Sequence, residues 1–218
     1  MNYFIVHNMH RLVALYSAPG RHYHNLNHIN FCLARMEEAK KQDEFKHFKE
    51  EQWTALEIAI WFHDAIYNAE AQMVTPGYSE FESIEFMRYC AVDYPLAINN
   101  PEWYSIQRDA EDLILATAKH GKYIPETELE ALMLDIDLAS LALPWRQFKD
   151  NTDDVVMEYA LFRPYDMIAV GNAKFLKGLI ETNDRIYHTG WGYDAFEKMA
   201  RWNIAHRVLE ALPVEEQR

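Results

Sequence analysis

The sequence predicts an all-α fold, with about eight to ten helices in a single domain that covers residues 1–218. Apolar residues recur mostly at spacings of three and four, which is the helical pattern. No segment shows the sustained alternation of a β-strand. Half of the 218 residues are apolar and only 7 are Gly, so the chain can bury a full core and is not a disordered polymer.

The first half of the chain contains five stretches with helical spacing. They cover residues 5–16, 29–36, 53–62, 81–90 and 106–117. Residues 53–62 are apolar nearly all round, so we expect this helix to be central and buried. Pro-Gly pairs at 19–20 and 76–77 separate helices. The charged stretch 42–51 is expected to form a solvated face or loop.

The second half of the chain continues the helical pattern. Its apolar stripes cover residues 129–136, 155–162, 175–180 and 196–209. Turns are expected near Pro125, Pro144 and Pro164, because proline interrupts helices. Gly190 and Gly192 predict a further turn.

Composition excludes several functional classes. The formal charge is 21 − 34 = −13 at pH 7, and this acidic balance argues against bulk nucleic-acid binding. We expect no signal peptide, and no stretch reaches the roughly 18 apolar residues of a membrane span. Cys32 and Cys90 are expected to be buried free thiols. These features predict a cytoplasmic protein without a membrane partner.

Three of the ten histidines lie within residues 22–28. Asn25 is suited to cap the second helix, because its side-chain oxygen can accept an exposed backbone N–H. His24 would then precede the helix and His28 would lie on its first turn. The two rings could face one cavity without both binding one ion. The alternative is two ordinary polar residues at a helix start.

His63 and Asp64 close the most apolar stretch of the chain, residues 59–62. Burying an imidazole and a carboxylate is costly unless they are paired or bind a metal. Neutral imidazole and carboxylate together suit a first-row divalent ion. The alternative is a hydrogen-bonded His–Asp pair at a helix end.

Two further groups carry chemically useful side chains. Asp135 and Asp137 diverge by about 200° on a helix, so only one can face a given site. The other would cap the helix or pair with a surface charge. Lys119 and His120 precede Gly121 at a helix end, where they would either complement the helix dipole or hold a phosphate.

The order His28, His63-Asp64 and Asp137 resembles the H…HD…D pattern of the HD superfamily of metal-dependent phosphohydrolases. The segments RHYHNLNHI, WFHDAIY, LILATAKH and LDIDLASL are similar to a bacterial and phage branch of that superfamily, over residues 21–189. The resemblance implies a helical domain of the HD type. It implies His28, His63, Asp64 and Asp137 as ligands of Mn²⁺, Fe²⁺, Ni²⁺, Co²⁺ or Zn²⁺.

A fainter similarity links the chain to cyclic-nucleotide phosphodiesterases of the same superfamily. It is carried by Tyr23-His24-Asn25 with His28, by the His-Asp dyad, and by Asp137-Leu138 followed by Pro144-Trp145. This similarity favours Asp137 over Asp135 as the ligand. It also implies that His24 is a general acid.

The resemblance implies hydrolysis of a phosphate ester or anhydride by a metal-bound hydroxide. Asp64 would hold the metal, Lys119 and His120 would bind the phosphate, and His24 would protonate the leaving oxygen. The expected substrate is a small phosphorylated metabolite, with nucleotides ranked first. Glu80 and Glu82 would orient water or lie exposed at a helix start.

Departures from the branch leave alternatives open. It often has Gly-Arg where this chain has Gly171-Asn172. It also often has an Arg two residues before a Glu-Tyr pair, and here Val156 precedes Glu158-Tyr159, so the substrate could differ unless Arg163 substitutes. The role of Tyr159 is left open.

Dinuclear members commonly supply two more histidines between the dyad and the last Asp, whereas this interval contains only His120. A weaker second ion at Asp64 is still compatible with the sequence. The competing readings are a metal- or nucleotide-binding sensor and, ranked third, a di-iron oxygenase. A homodimer is compatible with the aromatic content, although no heptad repeat supports one.

Overall fold

The computed structural model describes residues 2–95, 97, 100–118, 120–121, 124–182 and 184–212. Throughout these residues the regular secondary structure is helical, which confirms the predicted all-α class. None of the described helices combines the length and apolar character that a bilayer span requires.

Ten helices form the described part of the chain. The first nine are α1 (Tyr3–Tyr16), α2 (Leu26–Ala39), α3 (Glu50–Phe62), α4 (Ala69–Val74), α5 (Tyr78–Val92), α6 (Pro101–Thr117), α7 (Glu128–Leu138), α8 (Trp145–Ala160) and α9 (Tyr165–Glu181). The last, α10, runs continuously through Gly190–Gly192, a π-helical turn at Tyr193–Glu197, and Lys198–Ala211. Short 3₁₀ turns occupy Asp43–Phe45 and Ala139–Ala142.

The predicted helices agree with this arrangement. Each of the nine apolar stripes falls on a helix, and only the stripe at 155–162 extends past its helix, which ends at Ala160. Helix α4 was not predicted, because six residues are too few to display a helical period. Asn25 caps α2 as expected, since its side chain accepts the N–H of Asn27 at 2.8 Å.

The core consists of two apolar clusters. Helix α3 is the centre of the larger one, and Leu56, Ile58 and Ile60 are fully buried there, which confirms the expectation of a helix buried on all sides. The smaller cluster joins α8, α9 and α10, with Phe148 and Ile204 in its interior. Helix α7 packs against α3 and α6 in the larger cluster and leads through its 3₁₀ turn into the smaller one. Cys32 and Cys90 are buried and free, as predicted.

One local expectation was incomplete and one was wrong. Most of the 42–51 stretch is exposed, as expected, but Phe45 is buried and the Glu44 carboxylate accepts the N–H groups of Gly190 and Trp191. The expected turn at Gly190–Gly192 is the first turn of α10. Glycine at position 192 serves close packing, since a Cβ there would overlap the Asp135 carboxylate.

Candidate metal centre

Four side chains from three helices meet in one buried cluster. His28 comes from the first turn of α2, His63 and Asp64 follow the end of α3, and Asp137 lies in the last turn of α7. Nε2 of His28 lies 3.2 Å from Nε2 of His63 and 3.1 Å from Oδ1 of Asp137. Nε2 of His63 lies 3.0 Å from Oδ2 of Asp64. The packing of α2 and α7 against α3 therefore brings together all four residues that the resemblance implied as ligands.

The spacing of the donor atoms suits a shared ion. The remaining distances are 3.6 Å from His28 Nε2 to Asp64 Oδ2 and 3.4 Å from His63 Nε2 to Asp137 Oδ1. Two donors about 2.1 Å from one ion lie about 3.0 Å apart at right angles and about 3.4 Å apart at tetrahedral angles. The cluster thus has the dimensions of a first coordination sphere.

The hydrogen bonds of His63 direct a lone pair into the cluster. Nδ1 of His63 lies 3.0 Å from the carbonyl oxygen of Ile60, which can only accept a hydrogen bond. Nδ1 therefore carries the proton, and in the neutral ring Nε2 is an acceptor. This acceptor faces the carboxylates of Asp64 and Asp137, which are acceptors too. Burial lowers the pKa of His63, but Asp64 and Asp137 raise it well above its ordinary value, so without a metal a proton on Nε2 balances the two carboxylates. A divalent ion can take the place of that proton, and two imidazoles with two carboxylates are donors that suit such an ion.

The neighbouring imidazoles also determine the pKa values of the two carboxylates in the cluster. Burial favours the neutral form of Asp64, but His63, His24 and His28 outweigh it and lower the pKa of Asp64 below its ordinary range. The pKa of Asp137 is likewise held well below its ordinary value by His63 and neighbouring imidazoles, despite burial. Both groups are therefore anionic over the physiological pH range.

His24 lies beside the cluster rather than in it. Its ring centroid is 6.0 Å from that of His28, and it stacks on Tyr67 at 4.1 Å. Its Nδ1 is 2.5 Å from Oε2 of Glu158. Burial lowers the pKa of His24, but Asp64 and Glu158 raise it by more, so the net shift is upward. A histidine with this environment is suited to carry a proton to a neighbouring group.

Glu158 is a component of the site that the sequence analysis missed. Its Oε1 accepts the backbone N–H groups of Tyr23 and His24 at 2.8 and 2.9 Å, so it holds both the backbone and the ring of His24. The two partners are 134 residues apart in sequence. Glu158 is one of 34 acidic residues, and the one signal in the sequence was its place in the Glu158-Tyr159 pair, to which no role had been assigned.

Asp135 is directed away from the cluster. Its carboxylate accepts the N–H of His188 at 2.7 Å, and the N–H and hydroxyl of Thr189 at 2.8 and 2.7 Å. Asp135 therefore fastens the segment before α10 to α7. Of Asp135 and Asp137, the one that meets the histidines is Asp137, as the helical divergence allows.

His120 contacts a candidate ligand. Its Nε2 lies 2.8 Å from Oδ2 of Asp137, the oxygen other than the one nearest His28. Its Nδ1 is buried and finds no hydrogen-bond partner among the described residues. His120 is thus placed to orient Asp137, with a second ring nitrogen available near the cluster. Lys119, its predicted companion, lies outside the described residues.

The other candidates occupy varied positions. Glu80 is partly buried, accepts the amide of Gln72 at 3.1 Å, and has a pKa raised mainly by burial. Glu82 is partly exposed. The Tyr159 ring meets that of Tyr67 edge to face at 6.3 Å. Arg163 is exposed and donates to the carbonyl of Phe162, outside the cluster.

Cys32, which was expected only to be a buried free thiol, is a neighbour of the cluster. It follows His28 by one helical turn, and its Sγ lies 3.8 Å from both ring nitrogens of His28. Burial raises the pKa of this thiol well above its ordinary value, so it is neutral in the absence of a cation.

No protein-family model matches this sequence, and a comparison with curated proteins returns no match. The functional interpretation therefore depends on the residues and their geometry.

Proposed function

We propose that this protein is a metal-dependent phosphohydrolase of the HD type. It would cleave a phosphate ester or anhydride of a small phosphorylated metabolite, and nucleotides are the first substrates to test. The observation that carries the proposal is the buried convergence of His28, His63, Asp64 and Asp137. Their order along the chain is the one that resembles the HD superfamily.

Two imidazoles and two carboxylates are a suitable ligand set for Mn²⁺, Fe²⁺, Ni²⁺, Co²⁺ or Zn²⁺. A divalent ion bound there would act as a Lewis acid toward a phosphate oxygen and would acidify water. Four protein ligands leave open positions on a six-coordinate ion, which a substrate requires.

His24 is the group best placed to donate a proton to the leaving oxygen. Glu158 binds its Nδ1, which leaves Nε2 as the donor toward a substrate. The same carboxylate stabilises the protonated ring, and the pKa of Glu158 is correspondingly lowered, because His24 outweighs the effect of burial. This pairing explains how a largely buried imidazole can carry a positive charge.

His120 would contribute in two ways. By donating to Oδ2 of Asp137 it orients the carboxylate so that Oδ1 faces His28 and His63. Its buried Nδ1, which has no hydrogen-bond partner among the described residues, is a candidate contact for a substrate phosphate.

The proposal is tested by incubating wild type and Asp64→Ala with Mn²⁺ and a panel of nucleotides, with products identified by mass spectrometry. Asp166→Asn is the matched control, because Asp166 is an exposed carboxylate on α9. We expect product from wild type and from the control, and none from Asp64→Ala. Equal product from all three proteins would contradict a role for the cluster. Nucleotide binding without any product would instead favour the sensor.

A further inference from the structure

Arg21 joins the two segments that carry the proposed proton donor and a proposed metal ligand. Its Nη1 donates to the carbonyl oxygens of His24 at 3.0 Å and Asp64 at 2.6 Å. Its Nη2 donates to the carbonyl oxygen of Ala65 at 2.7 Å. One guanidinium group thus holds the backbone before α2 against the turn that follows α3.

The location of this contact explains why a cation is suitable. The carbonyls of Asp64 and Ala65 belong to the turn that follows His63, the C-cap residue of α3. The carboxyl end of a helix carries unsatisfied carbonyl groups and a partial negative charge. A planar guanidinium group can donate hydrogen bonds to several carbonyl oxygens at once, whereas the ammonium group of lysine cannot reproduce that geometry.

Aromatic rings hold Arg21 in place. Its guanidinium carbon lies 5.3 Å from the ring centroid of Tyr16 and 5.5 Å from that of Tyr67. Tyr16 is itself fixed, since it is buried and its hydroxyl donates to the carbonyl of Trp61 at 2.9 Å. Tyr67 in turn stacks on the ring of His24. Arg21 therefore contacts His24 both through its backbone and through an intervening ring.

We infer that Arg21 is a positioning residue, which sets the separation between His24 and the cluster at Asp64. Its two terminal nitrogens are directed to backbone carbonyls, so its role is to place the groups on either side rather than to bind the substrate. Glu158 holds His24 against α8, and Arg21 supplies the second restraint, toward α3. This inference rests on the proposed function, because the distance between His24 and the metal matters only if both act on the phosphate bond that is cleaved.

The first test compares leaving groups in wild type and Arg21→Lys with Mn²⁺. p-Nitrophenyl phosphate has a good leaving group and needs little protonation, whereas AMP has a poor one. A displacement of about 1 Å costs on the order of 100-fold in rate, so we expect that loss with AMP and a loss below about 10-fold with p-nitrophenyl phosphate. Mn²⁺ affinity should not change. Equal losses on both substrates would overturn the inference.

Arg201→Lys is the matched control for a general loss of stability. Arg201 likewise donates to two backbone carbonyls, those of Ile180 at 3.2 Å and Asp184 at 2.8 Å, but it lies on α10, beside the smaller core cluster. We expect this variant to keep the wild-type ratio of the two turnover rates. A change of the ratio as large as that in Arg21→Lys would also overturn the inference.

A second readout does not depend on turnover. Bound Mn²⁺ relaxes nearby protons with an inverse sixth-power dependence on distance, so NMR relaxation of the His24 ring protons reports their separation from the ion. We expect this relaxation to differ between wild type and Arg21→Lys, and identical values would contradict a positioning role. Wild type that binds Mn²⁺ but hydrolyses neither these two substrates nor any member of the nucleotide panel would contradict the proposed function, and the relaxation comparison would still decide the role of Arg21.

Discussion

Asp135 and Asp137 lie two residues apart on α7, and both side chains are largely buried, yet their surroundings are opposite in kind. Asp135 accepts three hydrogen bonds from the backbone and side chain of the 188–189 segment. Asp137 is surrounded by the imidazole rings of His28, His63 and His120. The first carboxylate is held by fixed backbone and hydroxyl donors, and the second faces ring nitrogens that can either carry a proton or bind a metal.

Their pKa values differ accordingly. Burial raises the pKa of Asp135 to about 7, although the hydrogen bonds that it accepts from Thr189 and His188 lower this pKa. Burial also favours a higher pKa for Asp137, but His63 and the neighbouring rings hold that pKa well below the ordinary range. Two acidic residues close together on one helix can therefore have different roles. Asp135 is a structural tether, and Asp137 is a candidate ligand that requires a cation.

The largest expected effect is the loss of metal binding in Asp137→Asn. This variant removes a charged ligand while keeping the shape of the side chain, and we expect Mn²⁺ affinity to fall by more than about 100-fold. Asp135→Asn should retain affinity close to wild type. Isothermal titration of both variants checks the contrast. A larger loss in Asp135→Asn would reverse the assignment of the two residues.

A smaller effect is expected from His120→Ala. His120 orients Asp137 without belonging to the four-residue cluster, so Mn²⁺ affinity should fall by about 10- to 100-fold. The same titration measures it. Affinity unchanged from wild type would show that Asp137 needs no such support.

Gly192→Ala tests the Asp135 side of the comparison. The added methyl group would meet the Asp135 carboxylate, so we expect a loss of about 1–3 kcal/mol in the free energy of unfolding. Urea denaturation of the metal-free protein measures this loss. Mn²⁺ affinity should stay near the wild-type value. A parallel loss of affinity would mean that the structural role of Asp135 and metal binding by Asp137 are not independent.

The smallest effect concerns pH and the His24–Glu158 pair. The pKa of Glu158 is lowered from 4.5 in the folded state, so its carboxylate stabilises the fold above that pH, and this stabilisation is lost as the pH falls through the folded pKa. Glu158→Gln should therefore cost about 1 kcal/mol at pH 7 and less below pH 4. Urea unfolding across this range checks the trend. A cost that grows on acidification would contradict the ion pair.

The sequence was sufficient for the parts of the molecule that depend on local pattern. Helical spacing predicts nine helices, and Asn25 predicts the start of α2 and hence the place of His28 on its first turn. The divergence of neighbouring helical positions predicts that only one of Asp135 and Asp137 faces the histidines, as the structure shows.

Long-range pairing could not be predicted in the same way. Glu158 meets His24 across 134 residues, and Arg21 meets Asp64 across 43. Neither contact leaves a periodic signal, because each depends on how whole helices pack. The role of Gly192 was missed for a similar reason. Glycine there allows the first turn of α10 to lie close to Asp135 on α7, and this contact between distant segments has no local signal.

The most direct test of the central claim is a crystal structure of the Co²⁺-loaded protein, with the ion located by anomalous scattering. We predict one strongly bound ion about 2.1 Å from Nε2 of His28 and of His63, with oxygens of Asp64 and Asp137 completing its protein ligands. An ion bound elsewhere, or a cluster that stays free of metal at saturating Co²⁺, would contradict the account.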